Sequence, residues 1–259
     1  MPEIKLNDVR LHYVAEGRGV PLLLVHGLGG SSLDWEAQTA EFSKRYRVLV
    51  PDLRGHGQSD KPAGAYSMAM FAADMAALLR AEGVSQAHVV GLSLGGGVAF
   101  QLALDHPRLV KSLTIVNSGP HAIMETFAAK FAIQLRFVII RLFGLQKLGE
   151  IVAKKLFAGQ DALRQTFIER FRVNQPGPYQ ASLRAFIGWS VMNRLDEIRC
   201  PFLALTADQD YTPVAYKQNY VSRIQGAQLV VVPDAHHALP MEKPAAFNHA
   251  LTAFLESHP

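Results

Sequence analysis

Hydrophobic and polar positions change their period several times along the chain. Residues 3–15 alternate on either side of Asn7-Asp8, the pattern of two short antiparallel strands joined by a tight turn. Pro21-Leu22-Leu23-Leu24-Val25 then runs without a polar break and stops at His26-Gly27, which suits a strand covered on both faces. Segments 47–50, 87–90, 110–116, 202–206 and 228–232 read as further strands. Helical spacing fills the intervals at 33–43, 67–82, 94–105, 213–223 and 243–257. Ser32 is a candidate cap for the first of these, with Asp34 and Glu36 fitting its opening turn equally well. Ser67 and Gly83 start and stop the second. Strands alternating with helices predict an α/β protein with a mostly parallel, doubly wound sheet of about eight strands.

Residues 120–194 break the alternation. Phe127, Phe131, Leu135, Val138 and Leu142 recur at steps of three or four, with Lys130, Arg136 and Arg141 off that face. Pro176-Gly177-Pro178 predicts a break, followed by one more helix carrying Leu183, Phe186, Ile187 and Trp189. The segment therefore reads as a helical insertion after the sixth strand. It also holds 11 Lys+Arg against 4 Asp+Glu, a balance of +7, while the whole chain is +4. A basic surface attracts anionic substrates, nucleic acid or lipid headgroups, and the plain alternative is a solvated outer face. No interleaved aromatic–basic or zinc-finger pattern supports a nucleic-acid partner.

Composition narrows the rest. At 259 residues and 49% hydrophobic, the chain can bury a sizeable core without staples. One cysteine, Cys200, permits neither an intrachain disulfide nor an all-cysteine metal site and reads as a buried small hydrophobe. The start Met1-Pro2-Glu3-Ile4-Lys5 has no charged stretch followed by an apolar run, and no stretch reaches 18 apolar residues. The expectation is a cytoplasmic protein without stable membrane insertion, either monomer or homodimer.

The chemistry begins at Gly91-Leu92-Ser93-Leu94-Gly95, between a strand and a helix. This is a G-x-S-x-G elbow in the context that motif requires. A serine there sits in a strained turn, and side chains at 91 or 95 would crowd it. A phosphate-binding turn would want G-x-G-x-x-G or a nearby lysine, and neither is present. The hydroxyl needs a base, and histidine titrates in the right range. Such an elbow takes its partners in the order serine, acid, histidine. His236, His237, His249 and His258 follow the last strand, but His249 lies inside a helix and His258 at the end. The base is thus His236 or His237. Asp208 and Asp210 are the candidate acids, because Asn117 and Ser118 after the preceding strand offer no carboxylate. Two backbone N–H groups should face the developing negative charge: Leu94, directly after the serine, and Leu28 in the turn 26–30.

With these motifs in order, the chain resembles the α/β-hydrolase superfamily over essentially its whole length. His26-Gly27-Leu28-Gly29-Gly30 looks like the oxyanion turn, and 52–60 looks like the family's D-x-R-G-H-G-x-S-D loop. Ala207-Asp208-Gln209-Asp210-Tyr211-Thr212-Pro213 is similar to the acid loop G-x-x-D-x-x-P, with Ala207 in place of glycine; that register selects Asp210. Residues 237–244 resemble H-x-x-x-x-E-x-P, which selects His237 and leaves His236 where a glycine is usual. The resemblance implies a core of 1–117 and 196–259, and a helical cap of 118–195 whose Phe186 and Trp189 line a substrate pocket. Asp52, Arg54, His56 and His26 read as loop structure, with Arg54 expected to pair with Asp52.

The resemblance implies a serine hydrolase of carboxylic esters, with Ser93, Asp210 and His237 catalytic, a small-molecule ester as partner, and no metal or cofactor. The elbow Gly-Leu-Ser-Leu-Gly-Gly is similar to those of small bacterial carboxylesterases and 3-oxoadipate enol-lactonases. Carbon–carbon bond hydrolases and perhydrolases share the layout. A small-molecule receptor on a hydrolase scaffold and a lipase using the amphipathic stretch 127–143 at a membrane surface are readings from other classes.

Overall fold

Strict alternation within a strand sends successive side chains to opposite faces, so an unbroken apolar run needs cover on both. A computed structural model, describing residues 2–6, 8–122 and 127–259, shows that cover. β1 (Glu3–Leu6) and β2 (Val9–Glu16) pair antiparallel, and β2 pairs antiparallel with β4 (Arg47–Pro51). The remaining pairings are parallel, through β3 (Pro21–Val25), β5 (Ala87–Leu92), β6 (Val110–Val116), β7 (Phe202–Ala207) and β8 (Gln228–Val232). The eight strands run in the order β1-β2-β4-β3-β5-β6-β7-β8.

On β3, Leu23 and Val25 face α2 (Met68–Ala81), α3 (Leu94–Asp105) and α7 (Val214–Val221), meeting Phe71, Val98 and Tyr220 in one core. Leu22 and Leu24 turn the other way, into a second core with Phe42 of α1 (Glu36–Phe42) and Phe247 and Leu251 of α8 (Pro244–Glu256). All four β3 side chains are fully buried, each stabilising the fold by about 1.5–3 kcal/mol. Ser67 caps α2 as expected, accepting from Met70 N–H at 3.1 Å. The first helix differs from expectation. A single 3-10 turn, Ser32–Trp35, precedes α1, and Asp34 reaches back to the Ser31 N–H at 3.2 Å.

Among the described residues, the chain between β6 and β7 adds no strand to the sheet. It forms α4 (Phe127–Leu156), α5 (Asp161–Phe171) and α6 (Pro176–Phe186), with α4 kinked at Gly144. Pro176-Gly177-Pro178 is not a break before a helix but its first turn, where proline's missing N–H costs nothing. The helix consequently ends at Phe186, and Ile187 and Trp189 lie beyond it. Residues Ile140, Leu148, Phe157, Phe171, Tyr179 and Leu183 form a third core that also takes in Ala238. Leu28 packs against it as well, so these helices rest on the loops after β3 and β8. The stripe from Phe127 to Leu142 faces outward, with Phe127 84% and Leu142 66% exposed. No helix among the described residues is long and apolar enough to cross a membrane.

Candidate active site

The carboxyl ends of β3, β5, β6, β7 and β8 supply the loops that matter, as open parallel sheets generally do. Ser93 follows β5 with φ 55° and ψ −116°, a left-handed conformation for a non-glycine residue. The turn is tight enough to explain both flanking glycines. A Cβ at Gly91 would lie 2.2 Å from the Gly95 carbonyl oxygen, and one at Gly95 would lie 2.3 Å from the Val25 oxygen. Ser93 N–H donates to the Val116 carbonyl at 3.0 Å, and Ser118 Oγ donates to the Ser93 carbonyl at 2.7 Å. The serine is half-buried. Leu94 is the first residue of α3, and first-turn N–H groups have no acceptor within their own helix. A Cβ built on Gly27 would be 3.3 Å from Ser93 Cβ, which sets the turn containing Leu28 directly against the serine.

Each of the two adjacent histidines meets a carboxylate of its own. His237 Nδ1 lies 2.5 Å from Asp210 Oδ1. His236 Nδ1 lies 2.7 Å from Glu242 Oε1, and the His236 N–H donates to Glu242 Oε2 at 2.6 Å. Gln160 of the inserted segment donates to the same Glu242 at 2.8 Å, so His236 belongs to a bracket that ties the β8 loop to the helices above. Asp208 instead accepts from the N–H groups of Asp234 and Ala235 at 3.1 and 3.2 Å and shapes the turn. Asn117, at the end of β6, donates to the carbonyls of His236 and His237 at 3.0 and 2.9 Å. Neighbouring residues 116 and 117 thus hold the serine turn and the histidine loop to one strand end.

The sequence did not reveal a second partner of Asp210. Lys217 of α7 is buried and donates to Asp210 Oδ2 at 2.5 Å, with a second bond to the Thr212 carbonyl. Thr212 Oγ1 also donates to Oδ2, at 2.8 Å. Burial alone would push the Asp210 carboxyl up. The His237 imidazole and the Lys217 ammonium outweigh it and hold the carboxyl well below the usual range. Burial acts on Lys217 as well, pulling its ammonium below the ordinary lysine value against the attraction of Asp210. An ionised Asp210 accepts from Nδ1–H, which leaves Nε2 of His237 as the free acceptor. Tyr211 stacks on the imidazole at 4.2 Å, and Lys155 of α4 sits 4.6 Å from the centre of that tyrosine ring.

Phe186 and Trp189 stack on each other at 6.0 Å and pack on α3. A Cβ at Gly97, one turn past Ser93, would meet Phe186 at 2.9 Å, and Trp189 Nε1 donates to Gln101 Oε1 at 2.8 Å. A groove of about 800 Å³ opens elsewhere, between residues 61–66 and the start of α6. Ser93, Asp210 and His237 are not among its walls.

The loop after β4 is structural, with one correction. Arg54 does not pair with Asp52. Its guanidinium binds Asp74 of α2 at 2.6 and 2.7 Å and Asp8 at 3.2 and 3.3 Å. Asp52 is occupied by the N–H groups of Ser32 and Gln58 and by His12. His26 Nε2 accepts from Leu53 N–H at 3.0 Å, so its Nδ1 carries the proton and donates to the Gly27 carbonyl.

A family model for the alpha/beta hydrolase fold matches residues 20–244. The chain belongs to that family. Among curated relatives of this alpha/beta hydrolase is the putative carbamate hydrolase RutD of Azorhizobium caulinodans, 30% identical over 98% of each chain. The enol-lactonase of Burkholderia xenovorans superposes with a TM-score of 0.90 at 25% identity, covering 98% of this chain and 100% of that one. A malate-bound thermophilic esterase of Thermogutta terrifontis superposes with a TM-score of 0.89 at 27% identity, covering 97% and 95%.

Buried histidines in the hydrolase core make stability depend on pH. Burial, with His26 nearby, pushes His56 down from 6.5 to about 3. Between those values the unfolded chain binds a proton that the folded chain does not, so stability falls on acidification through that window. At pH 5 the loss from His56 is about 2 kcal/mol. Asp34, raised by burial from 3.8 to about 6, works in the opposite sense and regains part of that loss. The expected result is a lower urea midpoint at pH 5 than at pH 7, with a smaller drop in His56→Gln. An equal drop in both proteins would contradict the assignment.

Proposed function

We propose that this alpha/beta hydrolase cleaves carboxylic esters through an acyl-enzyme on Ser93. The observation that carries the reading is the 2.5 Å contact between Asp210 and His237, on the loops beside a strained serine elbow. Nε2 of His237 takes the hydroxyl proton as Ser93 Oγ attacks the carbonyl carbon. The carbonyl electron pair moves to oxygen, where the N–H groups of Leu28 and Leu94 receive it. As the pair returns, the ester C–O bond breaks and the imidazolium gives its proton to the departing alcohol. Water, deprotonated by the same nitrogen, then adds to the acyl-enzyme, and collapse returns the proton to Ser93 and frees the acid. In this reading residues 118–195 act as the cap. Phe186, level with the first turn of α3, walls the cleft, and Trp189 backs it. Short-chain p-nitrophenyl esters test the reaction: turnover with an initial burst of one p-nitrophenol per chain supports it, and no turnover across the series rejects it.

A second observation favours an anionic acyl group. Of the 11 cations in 120–194, seven are exposed, and Arg164, Arg170 and Arg194 each pair with a carboxylate. Arg136 is half-buried and has no carboxylate partner among the described residues. It lies against Tyr179, whose ring covers Gly29 of the turn after β3, and its charge reaches Tyr211. A cation so placed suits a substrate bearing a carboxylate, in keeping with an enol-lactonase and a malate-bound esterase among the similar structures. Arg136→Gln is expected to raise KM about tenfold more for a carboxylate-bearing enol-lactone than for p-nitrophenyl acetate. Equal changes for the two substrates would remove this reading.

A further inference from the structure

Lys217 is a fully buried lysine whose charge is spent on one carboxylate. Its side chain and that of Asp210 are each 1% exposed, and Nζ reaches Oδ2 at 2.5 Å while Oδ1 meets His237 Nδ1 at 2.5 Å. The two carboxylate oxygens are therefore divided between an ammonium and an imidazole. Oδ2 already accepts from Thr212 Oγ1 at 2.8 Å, so satisfying that oxygen does not by itself require an ammonium. Nor does the stability of the pair explain its presence, because hydrophobic residues replacing both partners of a buried ion pair often cost nothing; with Asp210 kept, removing Lys217 alone leaves a buried carboxylate short of one cation. What the ammonium adds is a fixed rotation and a counter-charge.

We propose that Lys217 is a positioning residue: its ammonium anchors Oδ2, turns Oδ1 toward Nδ1 of His237, and limits how strongly the acid stabilises the imidazolium. This rests on the assignment of Ser93, Asp210 and His237 given above. The groups around the pair are Tyr211 and Thr212 on the β7 loop, Tyr220 on α7, and Lys155 and Arg136 on α4. Set beside these, Lys217 is the group that touches the acid with a full positive charge. Removing that charge leaves the carboxylate free to favour protonated His237, so the imidazole gains basicity.

The test follows the His237 Cε1–H resonance of the full chain with pH, assigned by its loss in His237→Asn. In Lys217→Met the midpoint is expected to rise by about one pH unit. The acid limb of kcat/KM moves with it, and the plateau falls about tenfold to a hundredfold. Lys217→Arg, which keeps the charge, restores the titration. If both variants fail to fold, the 15Nζ resonance of Lys217 in the unsubstituted protein reports the same coupling, by shifting with the His237 titration. An unmoved midpoint in folded Lys217→Met, or an Nζ signal blind to His237, overturns the proposal. The NMR readouts need no turnover: a protein inactive on every ester that still shows the coupling refutes the hydrolytic reading and leaves the role of Lys217 standing.

Discussion

Ser93→Ala is expected to lower kcat/KM for any ester substrate by about 10⁴–10⁶-fold, with unfolding by urea nearly unchanged. The hydroxyl is the only group the change removes. The Cβ stays, and with it the left-handed conformation at φ 55° that the elbow imposes. Such a conformation costs about 1–3 kcal/mol in a residue with a side chain. Ser93→Gly should therefore be as inactive as Ser93→Ala, yet more stable than either the alanine variant or the unsubstituted protein by about 1 kcal/mol. A glycine variant no more stable than the alanine one would mean the turn is not strained. Ser93→Ala activity within about tenfold of the unsubstituted protein would mean that the nucleophile lies elsewhere.

Substitutions at the two adjacent histidines should part company. His237→Ala removes the proposed base and is expected to cost about 10⁴-fold or more in kcat/KM. Asp210→Asn, which disturbs the tautomer that Oδ1 dictates, should cost about 10⁴-fold. His236→Ala leaves that pair intact. It strips one partner from Glu242, whose side chain is 2% exposed, and should cost about 1–3 kcal/mol of stability with activity within about tenfold. Steady-state kinetics and urea melts on the same three proteins read both quantities. Equal kinetic losses at 236 and 237 would contradict the division between Asp210 and Glu242.

Features set by neighbours in the chain were legible in the sequence. The β3 run told of cover on both faces, because no strand exposed on one side can keep Leu22 to Val25 all buried. Gly91 and Gly95 declared the elbow, since the clash they avoid is with backbone only a few residues away or on the adjoining strand. Features set by distant partners were not. Nothing near Arg54 signals that Asp74, on a helix 20 residues away, outcompetes Asp52 for it. The residues alone left His236 and His237 equivalent; the resemblance selects His237, and the carboxylate each one meets is visible only in the fold. The stripe from Phe127 to Leu142 showed which side chains share a face but not whether that face is covered. Lys217 was invisible for a like reason: a lone lysine on a helix reads as solvated until the helix is seen to point it at Asp210.

The most direct measurement is the reaction of the folded chain with a fluorophosphonate, followed by intact mass and peptide mapping. One phosphonyl group per chain is expected, carried by Ser93, formed rapidly in the unsubstituted protein and hardly at all in His237→Ala. A folded protein that takes up no phosphonyl group, carries it on another residue, or labels Ser93 equally fast without His237 would contradict the proposed mechanism.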